Sequence, residues 1–243
     1  MTDPGLTDQA GSRPAPAAGA ARDRRRIIVL IGAVGAGKGT QAAILVERLG
    51  LIHLASGNLF RAALAAGTPL GERARGYMER GELVPDEITT AMISEELARV
   101  PGDVVLDGFP RTLAQAEALD AALAERGEAV SQALYIEAPT EELVRRVAGR
   151  WVCPVCGTPY HEATDPPLVA GRCDREGAAL VQRDDDRPEV VRARLAQQVP
   201  PMLDVVDYYA RAGVLTRVDG TLPIDGVTRQ ILEAVGAVDG ARA

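Results

Sequence analysis

The chain has 243 residues and a mass of 25.6 kDa, with 47% hydrophobic and 25% charged residues, enough for one large domain or two small ones. A formal net charge of -7 and a pI near 5.0 exclude a nucleic-acid binder that works through whole-chain electrostatics, and no apolar run is long enough to span a bilayer. Lysine and arginine together number 27, yet Lys38 is the one lysine and 26 are arginine; Asn58 is the one asparagine. In a chain biased toward Ala, Arg, Gly and Pro, the position where a lysine survives carries information. Three cysteines do not make a disulfide framework. An odd number with C-x-x-C spacing points to metal ligation or redox chemistry in a reducing, cytoplasmic setting.

Residues 1–26 hold Pro4, Pro14, Pro16 and the basic run Arg22, Arg24, Arg25 and Arg26, without apolar periodicity, and are expected to form a disordered tail. They lack the apolar region of a secretory signal, and Asp3, Asp8 and Asp23 argue against a transit peptide. The pattern changes at Ile27, where the β-branched run IIVLI predicts a buried strand. A glycine-rich turn follows, then a helix over 38–49. Further strands are expected at 104–106, 133–136 and 214–218. Helices are expected at 59–66, 71–80, 86–99, 113–126, 141–150, 189–212 and 224–235. Strands alternating with helices predict an α/β fold with a parallel sheet covered on both faces. Residues 151–184 break the alternation: they carry all three cysteines and Pro154, Pro159, Pro166 and Pro167. That insert is too short for a core of its own and needs a staple.

Directly after the first strand comes Gly32-Ala33-Val34-Gly35-Ala36-Gly37-Lys38-Gly39-Thr40, which fits G-x-x-x-x-G-K, with Gly39 where Ser or Thr is usual. Its glycines let backbone N–H groups turn inward around phosphate oxygens, and the following helix adds its positive N-terminal end. The bland alternative is a glycine-rich strand-to-helix turn without a ligand. The strand–loop–helix context and the placement of the chain's one lysine there both favour phosphate binding. Arginine, with a bulkier and directional fork, does not replace a compact lysine charge at such a site. A guanine-nucleotide switch would need an N-K-x-D motif; the one asparagine is followed by Leu59, so that reading falls.

The chain from Ile27 to Val235 resembles adenylate kinases of the long, lid-bearing bacterial type, members of the nucleoside monophosphate kinase family. GAVGAGKGTQ at 32–41, SGNLFR at 56–61, LDGFPRTLAQ at 106–115 and the cysteine lid running into QRDDDRPEVVRARL at 182–195 carry the resemblance. It implies a P-loop NTPase fold with a five-stranded parallel sheet, helices that bind the monophosphate, and a small zinc-ribbon-like lid. It divides the chain into a core at 27–55, 85–150 and 185–237, a monophosphate segment at 56–84, a lid at 151–184 and a C-terminal tail at 238–243. The implied reaction is reversible phosphoryl transfer, MgATP + AMP giving two ADP. ATP, AMP and ADP are then the partners, with no nucleic acid or membrane, and a cytoplasmic monomer is expected.

The composition fits that chemistry. Phosphoryl transfer needs positioning and charge neutralisation, and the chain offers arginines beside polar loops in place of an acid–base set. The resemblance implies that Gly35, Ala36, Gly37, Lys38, Gly39 and Thr40 hold ATP, with Arg146 at its adenine and Pro159 and Tyr160 beside it. Ser56, standing where Thr is usual, Arg61 and Gln115 would bind AMP. The backbone of Glu82, Leu83 and Val84 would pack near its adenine, and Gly108, Phe109, Pro110 and Arg111 would hold its phosphate. Lys38, Arg111, Arg150, Arg183 and Arg194 would stabilise the transferring group, the last two also reaching AMP, and Asp107 would orient Mg²⁺ through water. Arg145 stands next to Arg146 and is the alternative under a one-residue shift. Asp184, Asp185 and Asp186 read either as a charged turn or as hinge acids that pair with arginines. Val34, Asn58, Glu82 and Trp151 depart from the residues usual at their positions, without removing a group the chemistry needs.

Cys153 and Cys156, followed across sixteen residues by Cys173 and Glu176, have the spacing of a structural Zn²⁺ ribbon. Relatives with zinc use Cys or Asp fourth; here Glu176 stands there, with Asp174 or His161 as alternatives. The competing reading is a metal-free lid with remnant cysteines. Other readings of the whole chain are a uridylate–cytidylate kinase, a zinc-ribbon nucleic-acid module on an ATP-binding scaffold, and a catalytically dead relative. The long lid and Gln115 favour AMP over the first, 3% aromatic content opposes the second, and the retained charged groups oppose the third.

Overall fold

A computed structural model describes residues 25–80, 82–183 and 186–236. The expected tails at 1–26 and 238–243 lie outside the described residues, except for Arg25 and Arg26. Those two are tied to the body. The Arg26 guanidinium meets Asp103 at 2.6 Å, and Arg25 donates to the carbonyls of Gly102 and Leu97.

In chain order the elements are β1 (Ile27–Ile31), α1 (Lys38–Leu49), β2 (Ile52–Ala55), α2 (Ser56–Ala65), α3 (Pro69–Glu79), α4 (Asp86–Arg99), β3 (Val104–Asp107) and α5 (Leu113–Ala124). Then follow β4 (Gln132–Glu137), α6 (Thr140–Ala148), β5 (Arg150–Val152), β6 (Pro159–His161), α7 (Pro188–Arg211), β7 (Leu215–Asp219) and α8 (Ile224–Ala234). Five strands form one parallel sheet in the order β2-β3-β1-β4-β7. No helix among the described residues is long and apolar enough to cross a membrane.

All of β1 is buried, because its residues alternate between two cores. Ile27, Val29 and Ile31 join Leu106, Phe109, Leu119 and Tyr209 on one face. Ile28 and Leu30 join Leu45, Leu134, Leu143 and Ile231 on the other. Helix α7 serves both, with Val191 and Leu195 in the second core and Met202, Val205, Val206 and Tyr209 in the first.

Three elements differ from the expectations in ways that matter for the site. Strand β2 was not among the strands read from periodicity. It is an edge strand with one fully buried residue, Leu54, and His53 interrupts its apolar run. The helix expected over 141–150 ends at Ala148, because Gly149 caps it and Arg150 opens β5. Helix α2 begins at Ser56 rather than 59; Gly57 and Asn58, weak helix formers, lie in its first turn.

The lid is a separate small layer. Strands β5 and β6 pair antiparallel, and isolated bridges join Val152 to Val181 and Arg172 to Ala179. Its core is only Cys153, Tyr160, Cys173 and Leu180, with Ala178 packed against it.

Tyr209 is fully buried, and its hydroxyl has no hydrogen-bond partner among the described residues. Burial, with Asp120 and Tyr208 nearby, pushes its ionisation far upward, so the group stays a neutral, unsatisfied donor. Tyr209→Phe is therefore expected to raise stability by about 1 kcal/mol, whereas Leu106→Ala lowers it by about 2–5 kcal/mol; urea unfolding compares the two.

Candidate active site

The loop between β1 and α1 is built for close backbone approach. Gly35 and Gly37 have φ of 84° and 93°, in the left-handed region. A Cβ on Gly35 would stand 2.8 Å from both the Leu143 carbonyl oxygen and a Val147 methyl, so the loop packs directly on α6. Gly37 is the N-cap of α1 and supplies no side-chain cap, which leaves the first N–H groups of the helix to an outside acceptor. Lys38 Nζ bends back over the loop and donates to the carbonyls of Gly32 at 2.8 Å and Ala33 at 3.0 Å.

Charge converges on this amine. Burial pushes Lys38 down to about 8, and the positive fields of Arg111, Arg150 and Arg194 add to that, while Asp107 opposes it. Asp107 ends β3 and pairs in register with Leu30 of β1, which brings it beside the loop. Its Oδ2 lies 3.6 Å from where a Cβ on Gly39 would stand and 3.3 Å from His53 Nε2. Burial pushes the Asp107 carboxyl up, but the hydrogen bond from His53 and the charges of Lys38, His53 and Arg111 outweigh it, and the group stays below its ordinary value. Burial and the field of Arg194 lower Arg111.

A cleft opens on the other side of Arg111. Ser56, Arg61, Glu82, Leu83, Val84, Arg111, Gln115 and Arg194 all line it, as do Phe60, Met78, Thr89 and Gln198. Ser56 Oγ and Arg111 Nε both donate to the Gly108 carbonyl, at 2.7 Å each. Gly108 has φ 73°, and a Cβ there would meet the Arg111 guanidinium at 2.8 Å, so glycine alone lets the arginine fold back. The Arg111 N–H donates to Gln115 Oε1 at 2.7 Å. Gln115 Nε2 and Thr112 Oγ1 in turn donate to the two oxygens of Asp86, each at 2.8 Å. Phe109 and Pro110 are buried, with the Phe109 ring in the sheet core. Arg61 donates to Asn58 Oδ1 at 2.6 Å. The Glu82 carboxylate is turned to Arg80 at 2.7 Å.

Three partners of this machinery were not read from sequence: His53, Asp86 and Gln198, the last 3.4 Å from an Arg111 nitrogen. Each sits on a different element from the residue it serves. His53 alone carried a local signal, as one of only two histidines.

Toward the lid, Arg150 grips Asp186 with two hydrogen bonds, one from Nε at 2.9 Å, and Asp186 is wholly buried. Of the three acids read as a charged turn or hinge pairs, Asp186 is thus paired; Asp184 and Asp185 lie outside the described residues. Arg145 and Arg146 share Glu142, each at 2.6 Å, but Arg146 is 26% exposed against 66% for Arg145. Arg183 lies in the irregular chain that follows the Val181 bridge, and it is half-buried and not in the cleft lining. The Tyr160 ring fills the lid core and its hydroxyl donates to Cys173 Sγ at 3.4 Å, while neighbouring Pro159 is exposed.

The three thiol sulfurs lie within 4.8 Å of one another, with Cys156 and Cys173 at 3.6 Å. Backbone N–H groups of Cys156 and Val155 point at Cys153 Sγ, and those of Glu176 and Arg175 at Cys173 Sγ. The Tyr160 hydroxyl, with those amides, draws Cys173 down to about 7. The Glu176 carboxylate is exposed and outside the 4.8 Å cluster. The alternatives are engaged elsewhere: Asp174 accepts from the Leu168 N–H at 2.8 Å, and His161 packs its Nε2 against Gly149 while Nδ1 accepts from the Ala163 N–H.

Comparison with known proteins agrees with this geometry. Residues 30–214 match the family model described as adenylate kinase. Proteins named adenylate kinase from Exiguobacterium sibiricum and Dehalococcoides mccartyi are 44% and 43% identical, covering 86% of this chain and 98% and 97% of theirs. One from Staphylococcus aureus is 42% identical over 85% of this chain and 97% of its own. The chain belongs to the adenylate kinase family.

Proposed function

We propose that the chain transfers the γ-phosphoryl group of MgATP reversibly to AMP, giving two ADP. The carrying observation is that one arginine, Arg111, both lines the monophosphate cleft and acts electrically on Lys38 of the phosphate loop. Two phosphate sites separated by one guanidinium suit an in-line transfer between bound nucleotides.

In this reading the amides of Gly35 to Thr40 and Lys38 hold the donor phosphates. Arg111, Arg150, Arg183 and Arg194 spread over the transferring group, whose charge grows on its outer oxygens. Bound Mg²⁺ supplies further neutralisation of the donor phosphates. Asp107 fits as its anchor through water, being a carboxylate held anionic beside the start of α1. The partial burial of Arg146 favours it over Arg145 as the flank of the ATP adenine. Ser56, Arg61 and Gln115 hold AMP, with Gln115 aligned by Asp86 and the Glu82–Val84 backbone beside the base. Segments 56–84 and 151–184 close as units over the 27–55, 85–150 and 185–237 body and exclude water.

The thiol cluster fits a tetrahedral thiolate-binding ion. The Cys156–Cys173 sulfur spacing, 3.6 Å, is near what Zn–S bonds of about 2.3 Å require, and amides already face two of the sulfurs. Cys153, Cys156 and Cys173 would hold structural Zn²⁺, and Glu176 is the acid left free to reach it. The lid core of four buried side chains is too small to persist without such a staple.

Among AMP, CMP, UMP and GMP, a coupled assay is expected to show at least about tenfold preference for AMP; a preference for CMP would overturn the reading. Lys38→Arg is expected to lower kcat by about 10²–10³ with the fold retained by circular dichroism. ATP binding restores the Lys38 charge, so it takes up protons between about pH 8 and the ordinary lysine range, and affinity falls as pH rises through about 8. Calorimetry in buffers of different ionisation enthalpy reads that uptake. Elemental analysis is expected to give about one zinc per chain, and strong chelation to lower the melting temperature.

A further inference from the structure

The chain's one lysine side chain is held in an unusual way. Lys38 Nζ donates two hydrogen bonds to backbone carbonyls of its own loop, Gly32 and Ala33. These two bonds hold Nζ over the loop in either protonation state, within the field of Arg111, Arg150 and Arg194, and near pH 8 a large fraction of it is the unprotonated, nucleophilic form. Those arginines disfavour the ammonium form, as does burial, and Asp107 is the one nearby group that supports it. The loop therefore sets a nucleophile inside a phosphate-binding site.

We propose that Lys38 is a site of acylation by acyl phosphates, small molecules that join an activated carbonyl to a phosphate. The phosphate half has the chemistry that the loop amides and Arg111, Arg150 and Arg194 recognise. The carbonyl half then lies within reach of Nζ. The Lys38 nitrogen attacks the carbonyl carbon, forming the N–C bond. The bond from that carbon to the bridging oxygen breaks, and the electron pair leaves with phosphate. The amine proton passes to the phosphate, so the products are an amide and hydrogen phosphate, with no oxidant or second reactant needed. The amide carries no charge and blocks the space of the transferring phosphoryl group. An abundance of acyl phosphate would thus switch off phosphoryl transfer, and ATP would protect against it. This goes beyond the proposed reaction and does not depend on which monophosphate is the acceptor.

The composition makes the test clean, since no other lysine competes. The full-length protein is incubated with acetyl phosphate near pH 8, and the peptide holding Lys38 is followed by mass spectrometry. An adduct of about 42 Da is expected there, forming at least about tenfold faster in the native chain than in urea. Saturating ATP should slow it by a similar factor, and activity should fall in step with occupancy. Equal rates in native and unfolded chain would overturn the proposal, as would labelling that ATP leaves unchanged. A phosphate-free acetyl ester provides the second arm. If its native-to-unfolded rate ratio equals that of acetyl phosphate, phosphate recognition plays no part and the proposal fails. Failure of the AMP assay would leave these readouts intact, so the two ideas fall separately.

Discussion

The rest of the structure is arranged around one electrostatic problem: Lys38, Arg111, Arg150 and Arg194 must share a site before any phosphate arrives. Four cations in a partly buried space repel, and the fold counters this locally. Backbone carbonyls of Gly32 and Ala33 take the lysine, Gly108 and Gln198 take Arg111, and Asp186 takes Arg150. Asp107 supplies the one carboxylate that acts directly on the lysine. What remains uncompensated is the driving force for binding polyphosphate, and it is set by the protein rather than by reorganisation during the reaction.

The sheet makes that arrangement affordable. Parallel strands β1 and β3 end side by side, so the phosphate loop and Asp107 leave the sheet at the same C-terminal end of its strands. Both faces of β1 are buried, which fixes its register and hence the height of the loop. Close packing of Gly35 on α6 then ties the loop to the helix that carries Arg146 and leads into the lid.

How much of this is legible in sequence follows from chain distance. The phosphate loop, the 106–115 segment and the C-x-x-C pair are contiguous, and each carries its spacing on its face. The residues that steady them are distant along the chain: Asp86 serves Gln115, Gln198 serves Arg111, and His53 serves Asp107. No periodicity reports such pairings, because each depends on how helices land on the sheet. Strand β2 escaped for a related reason, since an edge strand of four residues with one fully buried side chain leaves little pattern to read. In the lid, spacing singled out three cysteines whose sulfurs do come together, but only packing distinguishes the candidates for a fourth partner: Asp174 accepts from Leu168, His161 Nδ1 accepts from Ala163, and Glu176 is not within the thiol cluster. Tyr160 likewise was read from sequence beside a nucleotide, and only packing shows that its ring fills the lid core.

The two-pronged grip of Arg150 on buried Asp186 has a consequence for what the site ignores. A small monovalent anion meets an arginine already satisfied by a carboxylate of equal charge and better geometry, and it gains nothing by displacing it. A triphosphate brings several charges at once and also engages the loop amides, so it can outbid the internal carboxylate. The buried Asp186 carboxylate is then the group that any phosphate arriving at Arg150 would have to displace.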